Sequence, residues 1–123
     1  MNNKSILIVE DEVLLARLME MMLQAKGYNI IGRASTAEEA INTCRNNSPD
    51  LVLMDIFIKG NMNGIEAIST IRKFANPSVI YVTGNSDPVT LEEANKTGHS
   101  AFLIKPVDAN TLVHAVQTAL SAA

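Results

Sequence analysis

Short apolar runs alternate with longer amphipathic segments along the 123 residues of the chain. Several runs are continuously apolar, which is typical of parallel strands that are buried on both faces. We predict strands over residues 5–9, 28–34, 51–54, 78–82 and 101–104. Helical spacing predicts helices over residues 13–26, 36–46, 64–74, 88–97 and 109–122. This (βα)5 pattern predicts an α/β fold with a parallel sheet covered by helices on both faces.

Residues that cap helices stand at the predicted boundaries. Asp87 and Asp108 precede the fourth and fifth helices, where their side chains can accept hydrogen bonds from the first turn. At the second helix, Ser35 and Thr36 precede Glu38 and Glu39 as a capping box, and Gly27 follows the first helix as a C-terminal cap. These residues support the predicted helix ends.

The first predicted helix carries apolar residues at spacings of three and four. They are Leu15, Leu18, Met19, Met22 and Ala25. Such a stripe is typical of a face that packs on the core, and we predict core packing rather than a cofactor site.

Composition limits the class of protein. The chain is 47% hydrophobic and 19% charged, and its length suits one domain, which we place at residues 1–123. Its single cysteine, Cys44, and the lack of a signal-peptide pattern favour the reducing cytoplasm. No apolar run has the length of a membrane span, and a net charge of -3 is unfavourable for nucleic-acid binding.

Polar and charged side chains follow the predicted strands. Glu10 and Asp11 follow the first strand, Asp55 the third, Thr83 the fourth and Lys105 the fifth. Because ligands of open parallel sheets bind beyond the carboxyl ends of the strands, we expect these side chains to form one site.

The predicted site suits a divalent cation and a phosphoryl group. Clustered carboxylates repel one another unless a cation joins them, and hard oxygen ligands suit Mg2+, with Mn2+ as a substitute. Phosphoryl transfer to a carboxylate depends chiefly on positioning and charge neutralisation. We therefore predict that Asp55 accepts a phosphoryl group whose oxygens are stabilised by Lys105 and Thr83.

Four segments resemble the receiver domain of two-component response regulators. They are residues 6–12 (ILIVEDE), 51–55 (LVLMD), 82–84 (VTG) and 102–106 (FLIKP). The resemblance extends from about residue 4 to residue 120. It implies a flavodoxin-like, doubly wound fold with strand order 2-1-3-4-5, and it is compatible with a stand-alone, single-domain regulator.

The same resemblance implies an acceptor and a metal site. Asp55 would be phosphorylated from a phosphohistidine. Mg2+ would be held by Glu10, Asp11, Asp55 and the backbone carbonyl of Phe57. The domain would catalyse only its own phosphoryl transfer and slow dephosphorylation, so we expect a signalling domain rather than an enzyme.

Further residues gain roles from the resemblance. Thr83, Gly84 and Lys105 would bind the phosphoryl group, and Thr83 and Phe102 would form the switch. In the family the bond before the residue that matches Pro106 is commonly cis.

The sequence departs from the commonest family pattern in three places. The loop of residues 56–63 lacks the usual proline and is one residue longer, with Gly60 supplying the turn. Glu10 replaces a frequent Asp. Phe57 is bulky and apolar, and as a hypothesis it restricts water attack on the acyl phosphate.

Three other interpretations remain open at this point. Each residue alone has an ordinary structural explanation, such as an acidic helix start for Glu10 and Asp11. A haloacid dehalogenase-type phosphatase would need a second Asp two residues after Asp55, where Phe57 stands. A flavin or nucleotide binder on this fold would need a glycine-rich loop after the first strand, where the two acidic residues stand.

The expected partners follow from the resemblance. A histidine kinase or histidine phosphotransfer protein would dock near residues 12–17, where Val13 and Leu14 offer apolar contacts. A downstream protein or an appended output domain would meet the face formed by the fourth helix, fifth strand and fifth helix. The domain would be a monomer or a phosphorylation-dependent dimer.

Overall fold

A five-stranded parallel sheet organises the computed structural model, which describes residues 4–85 and 87–121. The strands are β1 Ser5–Val9, β2 Asn29–Ala34, β3 Leu51–Met54, β4 Ser78–Thr83 and β5 Ala101–Ile104. The helices are α1 Val13–Gln24, α2 Ala37–Asn46, α3 Gly64–Ile71, α4 Pro88–Asn95 and α5 Ala109–Ser121. The strand order is β2-β1-β3-β4-β5, and every pair is parallel. The predicted fold class and strand order are therefore confirmed.

Two apolar layers cover the sheet because successive side chains of a strand point to opposite faces. In β1, Leu7 and Val9 pack with residues of α2, α3 and α4. Ile6 and Ile8 instead pack with residues of α1 and α5. The sheet is consequently buried on both faces, which explains why its strands are continuously apolar.

Three helices end earlier than the sequence predicts. α1 stops at Gln24, α3 at Ile71 and α4 at Asn95, instead of at residues 26, 74 and 97. After α1 and α3 the chain continues in tighter turns, with amides bonded to carbonyls three residues back, as from Phe74 to Ile71. Gly27, at φ 89°, lies beyond the actual C-cap, Ala25. The predicted end of α5 at residue 122 lies outside the described residues.

The predicted core face of α1 is partly wrong. The buried residues of the helix are Ala16, Met19 and Leu23, whereas Leu18 is 47% exposed. Ala25 is also exposed. Met19 is buried as predicted, and Leu15 and Met22 are partly buried against the same core. The core face of α1 also includes Ala16 and Leu23, which the sequence did not assign to it. α1 also presents apolar side chains, Leu18 among them, to solvent.

The capping predictions are confirmed for the second, fourth and fifth helices. Thr36 accepts a hydrogen bond from the amide of Glu39, and Asp87 accepts one from Thr90. Asp108 accepts a hydrogen bond from the amide of Thr111. Within the described part of the chain, no helix is long and apolar enough to cross a membrane.

Candidate functional site

The carboxyl ends of β1, β3, β4 and β5 bring the predicted site residues together. Glu10 and Asp11 follow β1, Asp55 follows β3, Thr83 ends β4 and Lys105 follows β5. Glu10, Asp11 and Asp55 each offer a carboxylate oxygen, and these oxygens lie within 4.8 Å of one another. Strands that are far apart in sequence thus form one acidic cluster.

Lys105 supplies positive charge to the cluster. Its Nζ donates a hydrogen bond of 3.0 Å to Asp55 Oδ2 and lies 2.7 Å from Glu10 Oε1. Burial opposes the charge of Lys105, but its close contacts with the two carboxylates outweigh this effect and raise the pKa of Lys105. Burial raises the pKa of Glu10, although the contact with the Lys105 ammonium acts in the opposite direction. The bond that precedes Pro106 is cis, as the resemblance implies.

Backbone amides hold all three carboxylates, and sequence analysis missed this feature. The amide of Glu12 donates to Glu10 Oε2 at 3.1 Å, and the amide of Phe57 donates to Asp55 Oδ1 at 3.3 Å. The amide of Lys59 donates to Asp11 Oδ2 at 3.1 Å. No side-chain pattern signals such donors, because any residue except proline carries one.

Two buried oxygen atoms of the site lack a hydrogen bond in the described structure. They are Thr83 Oγ1 and Glu10 Oε1, whose contact with Lys105 is an ion pair without hydrogen-bond geometry. Of these two atoms, only Thr83 Oγ1 has no charged partner either, and a buried oxygen without a partner is costly unless a ligand or water satisfies it. The three clustered carboxylates suit a hard divalent cation. The Thr83 hydroxyl suits a polar ligand, to which it can donate a hydrogen bond or from which it can accept one.

Gly64 positions the acceptor strand, a role that the sequence did not reveal. This first residue of α3 packs directly against the end of β3. A Cβ atom at Gly64 would collide with the backbone carbonyl oxygen of Asp55 and would lie 2.8 Å from Met54 Cγ. Only glycine lets the helix start this close to Asp55.

The remaining predicted residues, Phe57, Gly84 and Phe102, differ in their exposure. Phe57, which follows Asp55 by two residues, is 51% exposed, and Gly84 is exposed just after β4. Phe102 is half-buried, and its ring centroid lies 6.2 Å from that of Tyr81 and 6.1 Å from that of His99.

Comparison with known families identifies this arrangement. The family model for the response regulator receiver domain matches residues 6–117. The chain belongs to this family. Receiver domains are components of two-component signalling, in which they pair with histidine kinases. The family is typically a phosphoacceptor rather than an enzyme.

Individual relatives agree with the family assignment. The chain is 33% identical over 118 residues to the transcriptional regulatory protein PdtaR of Mycobacterium tuberculosis, and the match covers 96% of this chain and 57% of that protein. It is 32% identical to the chemotaxis protein CheY of Thermotoga maritima, with 92% of this chain and 94% of CheY covered. The chain thus spans little more than half of PdtaR but nearly all of CheY.

A solved complex bears on the metal. The CheX-CheY-BeF3-Mg2+ complex of Borrelia burgdorferi contains a chain that is 28% identical to this receiver domain, with a TM-score of 0.87. The similarity covers 94% of this chain and 87% of that one. The acidic cluster of this receiver domain has the ligand types for a metal of the same kind.

Proposed function

We propose that this receiver domain is a switch activated by phosphorylation of Asp55 from a phosphohistidine donor. The observation that carries the proposal is the buried Asp55 carboxylate, bonded to Lys105 and within 4.8 Å of oxygens of Glu10 and Asp11. Burying Asp55 beside two other carboxylates is costly, because Lys105 alone does not neutralise three negative charges. The site therefore suits a reaction that uses a bound divalent cation. We regard residues 1–123 as one receiver domain.

The chemistry is a transfer between two nucleophiles. A carboxylate oxygen of Asp55 attacks the phosphorus, the P–N bond of the phosphohistidine breaks, and its electron pair returns to the imidazole nitrogen. The phosphoryl oxygens are bound by Lys105, Thr83 and the backbone of Gly84. These hydrogen-bond donors are held in place by the fold, so they stabilise the negative charge of the phosphoryl group during transfer. Mg2+, held by Glu10, Asp11, Asp55 and the Phe57 carbonyl, would supply further charge neutralisation, and Mn2+ would replace it.

The switch follows from the new charge on Asp55. A phosphoryl group adds about -1.5 to -2 charges and strong acceptor oxygens. Thr83, whose buried hydroxyl has no hydrogen-bond partner in the described structure, is free to donate to these oxygens. Phe102 then moves with Thr83, and the face formed by α4, β5 and α5 changes its affinity for a downstream protein, an appended output domain or a second copy.

The phosphodonor docks on the exposed side of α1. Val13 is 68% exposed and Leu14 81% exposed, and they follow the site residue Asp11 by two and three positions. A groove that leads from Lys105 along α1 is lined by Leu15, Leu18 and other apolar residues. A donor protein that carries its histidine to Asp55 must cover this surface, and a helix with an apolar face suits it.

Phe57 sets the lifetime of the acyl phosphate. Its half-exposed ring follows the acceptor by two residues and offers no polar group to orient a water molecule. We therefore expect a Phe57→Asn variant to lose the phosphoryl group faster, as measured by the decay of phosphorylated protein after the donor is removed.

Intact mass after incubation with Mg2+ and acetyl phosphate tests the proposal. We expect one added phosphoryl group in the wild type and none in Asp55→Asn or in the presence of EDTA. Phosphorylation of the Asp55→Asn variant would overturn the assignment of the acceptor. No phosphorylation by either acetyl phosphate or a histidine phosphotransfer protein would overturn the proposed function.

A further inference from the structure

The loop of residues 56–63, between β3 and α3, contacts both the start of α2 and the acidic cluster. Lys59 forms an isolated parallel β-bridge with Thr36, the N-cap of α2. The next residue, Gly60, has φ 106°, a conformation that glycine adopts far more readily than other residues. The loop is closed by a 2.7 Å hydrogen bond from the amide of Gly64 to the carbonyl of Ile56.

This loop places one backbone N–H group, that of Lys59, beside Asp11. The amide of Lys59 donates to Asp11 Oδ2 at 3.1 Å, across 48 positions of sequence. Asp11 is half-buried, whereas Glu10 and Asp55 are buried and paired with Lys105. In the described part of the chain, the Lys59 amide is the one hydrogen-bond donor to the Asp11 carboxylate. Without that bond, Asp11 would be the least restrained carboxylate of the cluster.

We propose that Lys59 is a positioning residue that orients Asp11 for metal binding through its backbone amide. The inference rests on the proposed function, in which Asp11 is a metal ligand. A carboxylate has two oxygens, so a bond to Oδ2 fixes the carboxylate and leaves acceptor capacity for a cation. Hydrogen-bonded partners of metal ligands commonly contribute 10-fold to 100-fold to metal affinity. The exposed Lys59 side chain has no part in this role.

Two substitutions separate the amide from the side chain. Lys59→Pro removes the N–H group, whereas Lys59→Ala keeps it and removes the side-chain charge. Mn2+ affinity, measured from the electron paramagnetic resonance signal of free Mn2+, is a readout that does not depend on phosphorylation. We expect Lys59→Pro to bind Mn2+ about 10-fold more weakly and Lys59→Ala to stay within about twofold of wild type. Circular dichroism checks that each variant is folded.

The outcomes distinguish this inference from the proposed function. Equal Mn2+ affinity of a folded Lys59→Pro variant and wild type would overturn the inference alone. An equal loss in Lys59→Ala would also overturn it, because the side chain would then be responsible. A wild type that binds no Mn2+ would overturn both the inference and the metal dependence of the proposed function.

A second measurement covers the case in which Lys59→Pro does not fold. Amide hydrogen exchange of the wild type, followed by NMR, reports directly on the Lys59 N–H group. We expect this amide to be protected and its exchange to slow further when Mg2+ is added, because an ordered Asp11 retains the bond. Exchange at the rate of an unprotected amide, with and without Mg2+, would overturn the inference.

Discussion

At the scale of single residues, Gly64 shows how closely the acceptor is packed. A methyl group at this position would meet the carbonyl oxygen of Asp55, which is backbone and cannot move aside without moving β3. We predict that Gly64→Ala lowers the free energy of unfolding by about 1 to 3 kcal/mol or more, because overpacking forces backbone shifts. Urea unfolding, monitored by circular dichroism, measures the change.

Gly84→Ala is the matched control for this substitution. Gly84 also lies beside the site, but a Cβ atom there would have no neighbour within 4 Å. We expect its unfolding free energy to stay within about 0.5 kcal/mol of wild type. If Gly64→Ala were as stable as Gly84→Ala, this would contradict the close packing of α3 against the Asp55 backbone.

Ionisation of the buried Tyr81 hydroxyl should lower the free energy of unfolding at alkaline pH. Thr97 donates its hydroxyl hydrogen to the carbonyl of Ala94, so the 2.8 Å bond between the Tyr81 and Thr97 hydroxyls must be donated by Tyr81. Burial raises the pKa of Tyr81 from 10.0 to about 12. The folded state therefore retains this proton better than the unfolded state, and stability falls as pH rises from about 10 to about 12.

A shift of this size corresponds to about 2 to 3 kcal/mol. Urea unfolding at pH 9 and at pH 11.5 should show a steeper loss of stability in wild type than in Tyr81→Phe, which has no group to ionise at this position. Burial also raises the pKa of Cys44 to about 11, so its ionisation destabilises the folded state in the same pH range. Because Cys44 is present in both proteins, its effect cancels in the comparison. Identical losses in the two proteins would contradict the prediction.

The sequence predicted which side chains meet beyond the strand ends, but it did not reveal the contacts of Lys59 and Gly64 with this site. Glu10, Asp55 and Lys105 could be found because each follows a strand whose carboxyl end must face the site. Lys59 and Gly64 could not, because an amide donor and a missing Cβ acquire their roles only from tertiary contacts. The resemblance supplied the strand order, which apolar patterning alone leaves open.

At the scale of elements, α1 was predicted as a helix, but two of its five predicted core residues, Leu18 and Ala25, are exposed. Two adjacent apolar stripes have the same spacing of three and four, so periodicity cannot choose between them. The structure buries Ala16, Met19 and Leu23 and leaves Leu14 and Leu18 exposed. The sequence thus placed Leu14 on the exposed apolar surface of α1 but wrongly assigned Leu18 to the core.

We predict that Leu14→Gln separates docking from chemistry. Leu14 is 81% exposed, so the substitution should change the unfolding free energy by less than about 0.5 kcal/mol. Phosphorylation by acetyl phosphate should be unchanged, because this small donor needs no docking surface. Phosphotransfer from a histidine phosphotransfer protein that is active on wild type should slow severalfold. Equal slowing with both donors would place Leu14 in the chemistry instead.

At the scale of the whole molecule, the site exists only in the complete fold. Its side chains follow four strands, and the sequence separation between Asp55 and Lys105 alone is 50 positions. An unfolded chain cannot assemble these groups, so a ligand of the site binds the folded state almost exclusively. A metal that binds this acidic cluster would therefore stabilise the whole fold.

We predict that Mg2+ stabilises the folded protein against urea. A metal concentration 100 times the dissociation constant adds about 2.7 kcal/mol to the free energy of unfolding, and EDTA reverses the gain. NaCl at equal ionic strength controls for general screening of the net charge of -3. Asp11→Asn should lose most of the gain, because one charged ligand is removed while Lys105 still pairs with Glu10 and Asp55. A gain that persists in Asp11→Asn would mean that Mg2+ acts elsewhere on the protein.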